Sequence, residues 1–262
     1  MNPALRTAAT GMMAQQTRTE VIANNLANVN TTGFKRSRAQ FQDLLYQTVQ
    51  GTTVIGTADA NTQSAIQVGR GTHLAGVLRQ NSQGTLEQTG RPLDAAIEGE
   101  GFFQVQLPNG TTAYTRDGGF QISDQGMLTT NGGAQVIPGI RIPPEAADVS
   151  ISRTGVVSYT RKGSADTVEL GRVEIARFPN PTGLMSQGEN LLTETASSGT
   201  AITGFPTDEG MGQLVQGSLE GSNVEVVQEM VDMITAQRAY ELNSKTLKAT
   251  DEMSQVANNI VQ

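Results

Sequence analysis

Both ends of this chain read as long helices whose apolar stripes neither helix can bury alone, and that limits the possible folds more than any other feature. Asn2-Pro3 places an N-cap before a proline at the first helical position, and residues 3–29 continue as helix. Ala8, Met12, Ile22, Leu26 and Val29 keep a seven-residue spacing, with Gln15 and Thr19 in the gaps. A stripe so interrupted drives packing only weakly. Asn28–Gly33 stops the helix, Phe34-Lys35-Arg36 opens the next segment, and residues 37–48, with Phe41, Leu44 and Leu45 on one side, are expected as a short second helix. At the other end Ser222-Asn223-Val224-Glu225 fits a capping box, and residues 223–261 read as helix. Val224, Val227, Val231 and Ile234 form a stripe that resumes at Leu242, Thr246, Ala249, Met253, Val256 and Ile260. Two four-residue steps through Arg238 join its halves, so the period is nearer eleven than seven, which favours a straighter coil. At the α-helical rise the two helices would be roughly 40 and roughly 60 Å long.

The middle of the chain alternates instead. Phe103–Leu107, the turn Pro108-Asn109-Gly110, and Thr111–Tyr114 read as a hairpin. Phe120–Ile122 with Met127–Thr130, and Val149–Ser152 with Val156–Thr160, repeat the scheme; Val168–Phe178 is a further strand. Seven of the eleven Phe and Tyr residues lie between 102 and 205, so a core can form there. The expected fold is therefore α+β: terminal helices forming a coiled-coil domain from residues 1–45 and 222–262, and a central all-β domain of short antiparallel strands over 96–200. Residues 65–95 and 201–221 read as extended linking strands. Residues 46–64 are polar, rich in Gly and Thr and nearly uncharged, which suits either a flexible loop or an extended contact arm.

Composition removes many functions. The 262 residues include no Cys and no Trp, one His, and 4% aromatics. Thiolate chemistry, disulfides and Cys-based zinc sites are excluded, and the low aromatic content argues against stacking platforms for nucleic acid or sugars. The net charge of −7 disfavours nucleic acid and anionic lipid. No apolar run approaches the about 18 residues of a membrane span, and the N-terminus lacks the pattern of a cleavable signal peptide. Residues 1–45 carry five basic against two acidic side chains and residues 222–262 three against six, so the two ends are oppositely charged. Gly69-Arg70-Gly71-Thr72-His73-Leu74 begins like a dinucleotide fingerprint, but Leu74 stands where the third glycine belongs. Asp94, Glu98 and Glu100 are the one carboxylate group that invites a glycan-hydrolase reading, with strand-edge and turn charges as the plainer alternative. Catalytic residues, cofactors and metal ligands are not expected.

Against this background Val21-Ile22-Ala23-Asn24-Asn25-Leu26-Ala27-Asn28-Val29-Asn30-Thr31-Thr32-Gly33-Phe34-Lys35-Arg36 resembles the N-terminal signature of the bacterial flagellar rod and hook family. Gly221–Val224, Glu229-Met230-Val231 and Gln237–Glu241 resemble its C-terminal signature, and Gly101–Val105 and Tyr114–Gly118 its central strand motifs. Within that family the likeness is greatest to subunits of the distal rod; a proximal rod or hook component is the alternative. The resemblance implies a structural subunit that self-assembles helically into a hollow, rigid drive shaft, transmitting torque from motor to hook and passing exported proteins. It implies as partners further copies of the chain, proximal rod proteins, the hook protein, outer-envelope ring proteins and the flagellar type III export apparatus. The place implied is the basal body, from periplasm to outer membrane, which suits a chain without cysteine. The helical ends would line the inner tube and the β domain the outer wall. Subunit contacts would then come from Met12, Ile22, Leu26 and Val29 at one end, and from Val227, Val231, Ile234, Arg238, Leu242, Ala249, Met253, Val256 and Ile260 at the other. Asn24, Asn25 and Asn28 could add inter-subunit amide hydrogen bonds that set register, or could simply be a solvated helix end.

Overall fold

A computed structural model describes residues 3–50, 53–55, 61–63, 65–161 and 167–260. Two helices flank a β-rich middle: α1 at Pro3–Ala27 and α2 at Val226–Ile260. Short antiparallel strands fill the space between them in the chain. The molecule divides into two compact bodies. One takes in Met1–Leu26, Ser37–Leu78 and Val226–Gln262, the other Ala27–Arg36 and Arg79–Glu225.

In the helical body α1 and α2 run in opposite directions. Asn25 meets Glu229, Arg18 meets Asp232, and Gly11 faces Asn243, so positions fall along α1 as they rise along α2. Both helices are shorter than expected at the ends, and the capping box does not form: Ser222 Oγ accepts from the Val224 N–H and not from Glu225. The second helix expected over 37–48 is a strand, Ser37–Asp43, paired with Thr72–Arg79. Its burial alternates, with Ala39 and Phe41 turned inward and Arg38, Gln40 and Gln42 outward. That period of two, with a partner strand to satisfy its backbone, outweighs the helical spacing of Phe41, Leu44 and Leu45. Tyr46–Gln50 then pairs with Ile66–Gly69, and Thr53–Ile55 with Asn61–Gln63. Much of the proposed arm at 46–64 is thus the two sides of one long hairpin, and residues 56–60 lie outside the described residues.

The β body is built on a nine-stranded antiparallel sheet among the described residues. From one edge its order is 120–122, 128–130, 135–136, 102–106, 112–115, 191–193 and 185–188, with 175–177 joining 102–106 to 202–204. A three-stranded sheet follows from 146–151, 156–161 and 167–172. The strand expected over Val168–Phe178 is two: Thr167–Arg172 ends in the small sheet and Ile175–Arg177 begins in the large one. Between them Val173 donates to the Gly155 carbonyl and its side chain enters the core. Residues 95–98 pair with 213–216 and 86–88 with 218–220, so 79–95 and 201–221 pack with this body.

Four hairpin loops share one construction. In Leu107–Gly110, Ser123–Gly126, Thr130–Gly133 and Ser152–Gly155 the fourth N–H donates to the first carbonyl at 2.8–2.9 Å. Each ends on a glycine with φ between +79° and +85°, the geometry of a type I turn closed by a bulge. The core they enclose centres on Phe103, Phe120, Ile97, Val105, Leu128, Val136, Val157, Ile175 and Leu214. Phe103 is fully buried and meets Phe120 edge to face at 5.0 Å between ring centroids. Phe103→Ala should cost about 3–5 kcal/mol of stability, read as a lower urea midpoint of the full chain. A cost below about 1 kcal/mol would be that of a surface site and would contradict this packing.

Candidate assembly surface and the buried charge knot

The β body contains a buried cluster of charge, and all of its members lie in or beside the motifs that carry the family likeness. Glu220 ends the strand Ser218–Glu220 and is fully buried. Its carboxylate accepts from Lys35 Nζ and the Gly84 N–H through Oε1, and from Arg116 Nη1 through Oε2 at 3.0 Å. Lys35 Nζ also donates to the Ser82 carbonyl, and Arg116 to the carbonyls of Ile97 and Gly99. Beside the knot, Asn223 Oδ1 accepts from the Arg36 N–H while its Nδ2 donates to the carbonyls of Gln80 and Ser82. Gly33, with φ +67°, lets this crossing close, because a Cβ there would lie 2.7 Å from the Asp117 nitrogen. Burial lowers the pKa of Lys35 and of Arg116, and in both the Glu220 charge and hydrogen bond oppose the fall. The sequence reading passed over Arg116 and Glu220 as chemistry. Arg116 lies inside one of the motifs and Glu220 directly before another, and no local pattern marks either as buried.

On the helical body the expected contact residues fall into two groups. The α1–α2 contact uses small and polar side chains: Asn25 Nδ2 donates to Glu229 Oε2 at 3.1 Å, Arg18 pairs with Asp232 at 3.1 Å, and Asn243 sits over Gly11. Glu229, Ala236, Asn243 and Thr250, seven residues apart, are buried or half-buried on α2. The expected α2 stripe faces elsewhere. Val227 is 71% exposed, Leu242 63% and Met253 64%, and Val231, Ile234, Arg238, Ala249 and Val256 are exposed as well. The side chain of Ile260 lies outside the described residues. On α1, Ile22 and Asn25 are buried, Met12 and Leu26 half-buried and Asn24 exposed. Asn28 and Val29, in the other body, are half-buried. Asn25 exchanges both amide hydrogen bonds with the Ser37 backbone besides its bond to Glu229. Both of its amide donors and its carbonyl oxygen thus have partners within the chain.

The carboxylates that suggested a hydrolase each have a partner of their own. Asp94 is buried and accepts from Thr89 Oγ1, Glu98 accepts from Gln213, and Glu100 faces Arg177. Among the described residues no group of three metal-ligating side chains occurs, and no helix is long and apolar enough to cross a membrane.

Residues 5–35 match the family described as "Flagella basal body rod protein", residues 96–159 the "Flagellar hook protein FlgE/F/G D1 domain", and residues 215–260 the "Flagellar basal body rod FlgEFG protein C-terminal". The chain is 49% identical to the flagellar basal-body rod protein FlgG of Borreliella burgdorferi over 99% of both chains. It is 47% identical to that of Caulobacter vibrioides over 98% of both, and 34% identical to FlgF of the same organism over 98% of this chain and 97% of that one. The chain belongs to the flagellar basal-body rod protein family. Its full-length likeness to FlgG makes it a structural subunit of the flagellar rod.

Removing the central carboxylate tests the knot. Glu220→Gln would leave Lys35 and Arg116 buried without their counter-charge, at a cost of about 3–5 kcal/mol at neutral pH. Lys35 already titrates below 10.5 when folded. Between its folded value and 10.5 the unfolded chain holds the extra proton, so this group makes stability rise with pH. Without Glu220 the folded value drops further and the window widens. The deficit should therefore shrink as pH is raised toward 10.5, measured by urea denaturation of both proteins across that range. A deficit that stays constant with pH would show that Lys35 is not held as a buried cation.

Proposed function

We propose that this chain is a subunit of the distal rod, assembling with further copies of itself into a hollow, rigid shaft between motor and hook. The observation that carries the reading is the apolar stripe of α2 from Val227 to Val256, which α1 leaves uncovered. An exposed stripe of that length marks an interaction surface. A helical homopolymer supplies the occupant, because every copy brings the same two long helices. Packed against neighbouring helices, the stripe would give the coiled-coil character that the lone α1–α2 pair lacks. Met12 and Leu26, half-buried in one subunit, would complete their burial there, and Asn24 would lie at the rim. The polar, weakly charged composition suits a shaft that turns within ring proteins without electrostatic adhesion. Proximal rod proteins and hook protein are the expected end-to-end neighbours, and the type III apparatus is the expected export route. The role is mechanical, with no catalytic step.

The double substitution Val231→Asp/Leu242→Asp tests the stripe. Both side chains are exposed, so the purified subunit should unfold within about 1 kcal/mol of the parent. Cells carrying it should lack hooks and filaments in electron micrographs and should not swim. Hooks of normal number on such cells would show that the stripe is not an interface.

A further inference from the structure

The sequence holds two Asn-Gly pairs, Asn109-Gly110 and Asn131-Gly132, and both sit in the same kind of hairpin loop. Asparagine before glycine is the sequence most open to spontaneous cyclisation, in which the following backbone nitrogen attacks the side-chain amide carbon. The two loops differ by one position, and that difference decides which nitrogen can react. Asn109 is the third residue of Leu107–Gly110, so the N–H that follows it closes the turn on the Leu107 carbonyl at 2.9 Å. The Asn109 amide is engaged too: its Oδ1 accepts from both the N–H and the hydroxyl of Thr111. Asn131 is the second residue of Thr130–Gly133. There the turn is closed by Gly133, and the intervening Gly132 N–H has no hydrogen-bond partner among the described residues. Asn131 Oδ1 accepts a hydrogen bond as well, from Gln121 Nε2 at 2.6 Å, so the amides do not separate the two sites and the backbone N–H does. Both asparagines are exposed, so access to water does not separate them.

We propose that Asn131 is a site of spontaneous deamidation in the folded subunit and that Asn109 is protected by its own turn. The Gly132 nitrogen loses its proton to solvent and bonds to Asn131 Cγ. The bond from Cγ to Nδ2 breaks, and Nδ2 leaves with a proton as ammonia. Water then opens the five-membered imide at either carbonyl, giving aspartate or isoaspartate at 131. Either product adds a negative charge to a loop where Glu189 Oε2 already lies beside Gly132. Isoaspartate also inserts a methylene into the backbone of the turn that registers Leu128–Thr130 against Gln135-Val136. In a subunit that persists in a long-lived assembly, the modified fraction would grow with age.

The purified full chain, incubated at mildly alkaline pH and mapped by peptide mass spectrometry, reads the outcome. Native protein should convert Asn131 several-fold faster than Asn109, with isoaspartate detected at 131. Protein held in urea should convert both at similar rates, because only the fold distinguishes them. Gly132→Ala, at a position whose φ is not positive and whose nearest neighbour is the flexible end of Glu189, should slow native conversion at 131 several-fold and leave 109 unchanged. Conversion at Asn109 first, or the same ratio of rates in native and unfolded protein, would overturn the assignment.

Discussion

One carboxylate holds together segments that lie far apart along the chain. Glu220 gathers Lys35, Gly84 and Arg116, and its neighbour Asn223 binds the backbone at 36, 80 and 82. These contacts close loops of more than a hundred residues, so each bears the entropy of ordering distant backbone. A buried ion pair returns little net stability once desolvation is counted. What this cluster supplies is selection: a wrong crossing of the segments at 33–36 and 220–223 would strand two cations and a carboxylate away from water. Gly33 and Gly84 belong to the same device, since a side chain on either would collide with the backbone crossing it. The family matches at 5–35 and 215–260 include both sides of this crossing.

What was legible in the sequence followed from local rules, and what was missed depended on pairing at a distance. The two terminal helices and three hairpins in the middle could be read from periodicity and turn chemistry, because Asn-Gly, Asp-Gln-Gly and Thr-Gly punctuate alternating runs. Ser37–Asp43 was misread because Phe41, Leu44 and Leu45 are compatible with either period, and only its pairing with Thr72–Arg79 settles the choice. Val168–Phe178 hid its break because Val173 remains apolar and buried while the chain passes from one sheet to another. Arg116 and Glu220 carried no local sign of burial. Charged side chains are inside only when paired, and their partners lie 104 residues apart. The α2 stripe can be read from the sequence as a line of residues, but the direction it faces cannot. Periodicity identifies the faces of a helix and is silent on which of them a second helix covers.

That direction carries the physical sense of the helical body. A seam of Gly11, Asn25, Ala236, Asn243 and Thr250 buries few methylenes, so α1 and α2 contribute little to holding each other. The apolar side chains that could do so point away. Six of them, Val227, Val231, Ile234, Leu242, Met253 and Val256, are 50–71% exposed, so covering what remains would return about 5–11 kcal/mol, at about 1.5–3 kcal/mol for a whole side chain. Association costs about 4–15 kcal/mol before any contact is credited. A single pairwise contact along the stripe is therefore close to balance, and one that buries only part of it is unstable. A subunit touching several neighbours at once sets the same ordering cost against more buried surface, so a lattice of such helices is stable where a dimer is not. The polar seam and the apolar exterior together leave the α2 stripe to be covered by something other than α1, and the proposed assembly with further copies would supply several partners at once.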